Sequence, residues 1–145
     1  MRVSPRRRAR EFAVQALYQV ALNKIPAPEV AQHIRESNDY RHADGELFTA
    51  IFFGAHNNQR EYMQIIRRLL DRDENLINPI ERSVLLVAVH ELKAMPETPY
   101  PVIINEAIEV TKTFGGTDSH KFINGILDKL VAQLRPNDPK RRDAA

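Results

Sequence analysis

The stretch Asn78-Pro79-Ile80-Glu81-Arg82-Ser83-Val84-Leu85-Leu86-Val87-Ala88-Val89-His90-Glu91-Leu92-Lys93-Ala94-Met95-Pro96 decides the fold. Residues 84–89 are continuously apolar and rich in β-branched side chains, so by composition alone they read as a buried strand. The flanks argue for a helix instead. Asn78 is placed as an N-cap, Pro79 at the first helical position, Glu81 at the capping-box position three after Asn78, and Pro96 closes the segment. A helix apolar around most of its circumference is a buried one. The spacing therefore predicts a central helical strut over 79–95, whose failure would unfold the domain.

Outward from this strut every convincing periodicity is helical, and the fold class is all-α. Toward the N-terminus, Ser4 and Pro5 open a first helix that runs to about Leu22, with Phe12, Ala13, Ala16, Leu17, Val20 and Ala21 as its apolar stripe. Pro26 and Pro28 break it, and Val30, Ala31 and Ile34 mark a short second helix. Leu47, Ala50, Ile51 and Gly54 set the inward face of a third, with Phe48, Phe52 and Phe53 as a second apolar side. Tyr62, Ile65, Ile66, Leu69 and Leu70 either extend that helix or form a fourth after residues 56–58. Toward the C-terminus, 99–114 turns Ile103, Ala107, Val110, Thr111 and Phe114 inward. Gly115-Gly116 is expected to supply a left-handed residue at its end. Thr117 or Asp118 then caps a last helix to about Leu134, with Ile123, Ile126, Leu127, Leu130 and Leu134 as its stripe. Pro136 and Pro139 stop it, and the tail over 136–145 is expected to be disordered and basic.

At 145 residues the chain fits one domain that buries a core without staples, and it has no cysteine to form a disulfide, a thiolate zinc site or a thiol nucleophile. No apolar run long enough for a signal peptide or a membrane span follows the basic start. The expectation is a cytoplasmic protein that does not enter a membrane. The net charge of +2 hides an uneven distribution. Residues 1–10 carry +5, residues 135–145 carry +2, and residues 11–134 carry −5. An acidic body with basic ends offers a local phosphate-binding patch rather than an all-round polyanion surface.

That patch centres on Arg6, Arg7, Arg8 and Arg10, with Arg2 before them. Five cations at a helix start oppose the macrodipole unless a polyanion binds, and in the sequence only Glu11 stands near enough to neutralise them. At 100° per residue, Arg6 and Arg10 lie about 40° apart and share a face. Phe122 is the second anomaly, roughly 100° from Ile123 at the edge of the last helix's stripe. It adjoins His120, Lys121 and the free N–H groups of a helix start, with Asp118 as the capping carboxylate. Two readings stay open for it: packing against a neighbouring helix, or a ring on which a base of single-stranded RNA stacks.

No catalytic constellation is visible. The chain lacks a phosphate-binding glycine loop, a GxSxG elbow and an HExxH motif, and its five histidines share no metal-ligand spacing. His90-Glu91, near the end of the buried helix, is the least bland pair, and His90 reads as a hydrogen-bonded structural residue. Glu106 and Glu109, three apart on one helix face, read as a solvated face or a helix-helix contact. No cofactor, metal or enzyme activity is expected.

The two anomalous segments also carry a family resemblance. The run Arg6-Arg7-Arg8-Ala9-Arg10-Glu11-Phe12-Ala13-Val14-Gln15-Ala16-Leu17-Tyr18 resembles the opening helix of the NusB transcription antitermination family. Tyr100-Pro101-Val102-Ile103-Ile104-Asn105-Glu106-Ala107-Ile108-Glu109, then Phe114-Gly115, then Asp118-Ser119-His120-Lys121-Phe122-Ile123-Asn124-Gly125-Ile126-Leu127-Asp128-Lys129 resemble its C-terminal signature. Between them, 23–77 is similar only in helical pattern.

The resemblance implies about seven helices in two three-helix bundles sharing the first helix, a single RNA-binding domain over 1–135. It implies a non-catalytic antitermination factor that binds boxA-type RNA of nascent ribosomal transcripts. Its partners would be a NusE-type small-subunit ribosomal protein and the RNA polymerase antitermination complex. Carried over residue by residue, Arg6, Arg7, Arg8, Arg10, Asp118, Lys121 and Phe122 belong to the RNA face, and Tyr18 and Glu81 to the protein partner's surface. The same helical domain opens a ribosomal RNA cytosine methyltransferase family, but without a glycine-rich cofactor fold methyl transfer is not expected here. The rival expectation is a protein-interaction module, or a homodimer, with little RNA binding of its own.

Overall fold

Asn78 and Glu81 form the reciprocal capping box that opens the central helix. The Asn78 side chain accepts from the Glu81 backbone N–H at 2.8 Å, and the Glu81 carboxylate accepts from the Asn78 N–H at 3.1 Å. The computed structural model describes residues 3–138. Arg2 and the tail residues 139–145 lie outside them, and with them most of the segment expected to be disordered. Seven α-helices occur among the described residues: α1 (Pro5–Asn23), α2 (Ala27–Arg35), α3 (Gly45–Asn57), α4 (Gln59–Leu69), α5 (Pro79–Ala94), α6 (Tyr100–Phe114) and α7 (Ser119–Leu134). Short 3₁₀ turns at Asn38–His42 and Glu74–Leu76 join α2 to α3 and α4 to α5. No strand occurs among the described residues.

The helices make two bundles. α1, α2 and α3 pack on one another, α5, α6 and α7 do the same, and α1 also lies against α5 and α6. α5 is the strut that the sequence implies: it touches α1, α3, α4, α6 and α7, and Val84 to Leu92 are all buried. Leu85, Leu86, Phe48, Phe52, Ile103, Ile123 and Leu127 are fully buried around it.

Each helix end has a local cause. Ser4 caps α1 by accepting from the Arg7 N–H at 3.1 Å, and Asp44 caps α3 through the Leu47 N–H at 3.0 Å. Asn58 separates α3 from α4. Its backbone N–H (3.2 Å) and its side chain (2.8 Å) both donate to the Gly54 carbonyl, and the Gln59 side chain donates at 3.1 Å to the His56 carbonyl, an acceptor that helix continuation would use. At the far end of α5 the guanidinium of Arg135 donates to the carbonyls of Leu92 (2.9 Å), Met95 (3.0 Å), Glu91 (3.2 Å) and Thr98 (3.0 Å). A residue just beyond α7 thus adds donors at the end of the strut, where the Glu91 carbonyl also accepts from the Met95 N–H (3.2 Å) and the Met95 carbonyl from the Thr98 N–H (3.0 Å). Arg135 is thus buried structure and not part of a solvated basic tail.

Three details differ from the sequence reading. The left-handed residue is Lys24 (φ 54°), which ends α1; Gly115 has φ −90°. Gly115 is needed for space instead, since a Cβ there would lie 2.9 Å from the Thr111 carbonyl oxygen and 3.0 Å from Ser119 Cβ. On α3 the inward face is turned toward the phenylalanines: Phe48 and Phe52 are fully buried, whereas Ala50 is exposed. Asp118 stands at the cap position of α7, but its side chain makes no capping hydrogen bond.

Candidate nucleic-acid interface

The first turns of α1 do not present four free cations. Arg10 is only 3% exposed, with its Nη2 2.8 Å from Glu91 Oε1 and its Nη1 3.3 Å from Glu106 Oε1. Arg7 grips Glu106 through Nε (3.1 Å) and Nη2 (2.8 Å). Arg8 lies 3.6 Å from Glu11, and its Nε is buried with no hydrogen-bond partner. Arg6, the exposed member, is 3.5 Å from Asp44. Glu106, read from sequence as solvated or as a helix contact, is the contact that ties α6 to α1.

Arg10, expected on the RNA face, is turned inward in this structure. Its counter-charges come from α5 and α6, far along the chain and absent from any local window. The electrostatics follow the geometry. Burial alone would raise the Glu106 carboxyl, but the hydrogen bond and charge of Arg7, with those of Arg10, hold it below its ordinary value. The hydrogen bond to Glu106 raises Arg7 further. Burial pushes the Glu11 carboxyl up against the pull of Arg8 and Arg7.

The second region forms an open groove of about 670 Å³ at the start of α7. Asp71, Arg72, Glu81, Asp118, Lys121, Phe122, Gly125 and Lys129 are among the residues that line it. Three sequence-expected residues, Asp118, Lys121 and Phe122, thus meet in one concavity. Lys121 and Asp118 face each other at 3.6 Å and are largely exposed, so their pair is weak and its members are available to a ligand. Phe122 is half-buried against the core, and the Arg72 guanidinium sits 4.1 Å from its ring centroid. The packing reading therefore holds in part, since Phe122 rests against the core, and a face of its ring meets the Arg72 cation. Lys129 donates to the Leu69 carbonyl at 3.3 Å and ties α7 to the end of α4 and the segment that follows it. That segment, steadied by the 2.7 Å Arg67–Glu74 ion pair, carries Arg72 over the ring.

Arg72 was not legible from sequence. Arg72 stands between two acids in Asp71-Arg72-Asp73, and nothing local indicates that it reaches Phe122. From Glu106, where Arg7 is held, α6 runs about 12 Å to Phe114 at 1.5 Å per residue before the loop to Asp118. The arginine end and the groove are therefore two separate regions joined by α6.

Glu81 is buried in its capping box while its residue lines the same groove. Tyr18 is half-buried on α1, one turn before Leu22, which is 50% exposed. Leu22, Ala21, Ile77, Pro79, Arg82 and Gln59 line a second open groove of about 430 Å³. Among the described residues no three His, Asp or Glu side chains are arranged to hold a metal ion, and no helix is long and apolar enough to cross a membrane.

A family model described as the NusB family matches residues 7–132. The chain belongs to the NusB family. The transcription antitermination protein NusB of Neisseria gonorrhoeae (strain NCCP11945) is 69% identical over 137 residues, covering 94% of this chain and 97% of the relative. That of Burkholderia cenocepacia (strain HI2424) is 45% identical over 142 residues and covers 98% of each. A solved structure of T. maritima NusB matches with a TM-score of 0.79 at 28% identity over 100% of both chains. NusB relatives are named for transcription antitermination, a non-enzymatic role.

Proposed function

We propose that this chain is a non-catalytic adaptor of transcription antitermination that binds boxA-type single-stranded RNA of nascent ribosomal transcripts together with a NusE-type small-subunit ribosomal protein. The carrying observation is the groove in which a half-buried aromatic, Phe122, stands beside Lys121, Asp118 and Arg72 in a NusB-family chain. A base stacks on the ring, Asp118 and Lys121 meet polar edges or phosphates, and Arg6, with Arg7 and Arg8 in support, attracts the backbone farther along. Arg10 acts from inside by holding α1 on α5 and α6. The protein partner takes the face of Tyr18 and the exposed Leu22, next to the second groove.

Titration of boxA and scrambled RNA into the chain, alone and with the NusE-type protein, tests this reading. Preferential and mutually strengthened binding of boxA RNA and partner is the expected result. Phe122→Ala should weaken RNA binding by about 1–3 kcal/mol. Equal affinity for boxA and scrambled RNA would remove the sequence-specific reading. One observation favours the rival of a protein-interaction module or homodimer: Arg7 and Arg10 are already satisfied by Glu106 and Glu91. Partner binding without any RNA shift at low salt would decide for that rival.

A further inference from the structure

Gly125 sits in the interior of α7, a helix of 16 residues, yet nothing in the fold asks for a glycine there. A Cβ built at Gly125 meets nothing within 4 Å. Gly54 and Gly115 differ: a Cβ at Gly54 would run into the His90 ring, and one at Gly115 would crowd backbone. Glycine is the poorest helix former after proline, and its distinctive use is close approach of backbone to another group. Gly125 lines the groove three residues after Phe122, which puts the two on one helix face. Across the groove Arg72 covers the Phe122 ring, and the anion nearest to it, Asp71, lies 3.7 Å away with its side chain 71% exposed. Such an exposed pair restrains the guanidinium little.

We propose that Gly125 and Arg72 complete a subsite for one nucleotide. The base takes the Phe122 ring face, the sugar and phosphate settle against the bare α7 backbone at Gly125, and Arg72 swings off the ring to pair with that phosphate. This rests on the single-stranded RNA reading above. It adds a glycine whose absent side chain is the recognition feature and a cation from the loop between α4 and α5.

The test is a titration of fluorescently labelled boxA RNA into the chain with its NusE-type partner at several salt concentrations. Gly125→Ala, Arg72→Met and Phe122→Ala are compared with wild type. Gly125→Ala should raise the thermal midpoint by about 2–4 °C, because alanine suits the helix better, while RNA binding weakens about tenfold. Arg72→Met keeps an apolar contact with the ring, so loss of packing is small; it should weaken binding and make the log–log salt slope shallower by about 0.7, one single-strand phosphate. Wild-type affinity in either variant, with Phe122→Ala weakened, overturns this inference and leaves the RNA reading standing. A lowered midpoint for Gly125→Ala also overturns it, since the glycine would then have a structural cause. No binding of boxA RNA by wild type with partner present overturns both.

Discussion

Arg10 and Glu91 face each other at 2.8 Å with both side chains almost wholly out of water, and Glu106 closes the other side of the guanidinium. A charge pair of this kind adds little net stability over an apolar pair, but removal of one member strands the other in a low-dielectric site. Arg10→Met should therefore destabilise the fold by about 3–5 kcal/mol in chemical denaturation. Changing Glu91 to Leu in the same protein should recover much of the loss, because Arg7 still holds Glu106. A single variant as stable as wild type would show that the pair does not fasten α1 to the second bundle.

His90 gives the fold a pH dependence of definite sign. Its Nδ1 lies 2.8 Å from the Tyr62 hydroxyl, and burial lowers its pKa below 6.5 against the opposing charge of Glu91. The neutral ring is thus the folded form, and its stabilisation is fully present above about pH 6.5. As pH falls from there toward the lower folded value, the unfolded chain takes up a proton that the folded one refuses. Stability then drops by at most about 1.4 kcal/mol per pH unit for this one group. Glu11, with its raised pKa, works in the opposite direction. The contribution of His90 is therefore read as the difference between wild type and His90→Gln in thermal melts from pH 7.5 to 5. Parallel curves for the two proteins would rule out the His90 contribution.

The helical fold was legible because its signals are local. Ser4-Pro5, Asn78-Pro79-Ile80-Glu81 and Pro96 state where helices begin and end, and the spacing of Ile123, Ile126, Leu127 and Leu130 states which face is buried. The break at Asn58 was not, because the side chains of Asn58 and Gln59 close the end of α3 on the Gly54 and His56 carbonyls within a helical pattern that runs on both sides. The candidate site was legible in half. Asp118, Lys121 and Phe122 adjoin on one helix start and meet in the groove. Arg10 looked free because Glu91 and Glu106 are remote in sequence, and Arg72 carried no signal because its meeting with Phe122 is made only by tertiary packing.

Arg135 lies at the edge of what sequence marks as a basic tail, yet it carries four carbonyl contacts at the end of α5. Arg135→Ala should lower stability by about 1.5–3 kcal/mol, the range for hydrogen bonds that involve a charged group. Arg135→Lys should recover only a small part, since a point ammonium cannot reproduce the planar fork. Thermal melts of both variants check this, and a fully rescued lysine variant would show that charge at the helix end matters more than the individual bonds.

Arg6 and Arg10 lie one turn apart on α1, and the structure gives them opposite relations to a polyanion. Arg6 is exposed and only 3.5 Å from a partly exposed Asp44, so its ion pair is readily exchanged for a phosphate. Arg10 is locked inside, and pulling it out would strand Glu91. If the chain binds single-stranded RNA, Arg6→Gln should make the log–log salt slope shallower by about 0.7 with little change in stability. Arg10→Gln should lower stability and leave the slope unchanged when binding is measured below its melting transition. The comparison separates cations that meet RNA from cations that build the helix carrying them. Equal loss of slope in both variants would mean that Arg10 leaves its carboxylates when RNA binds.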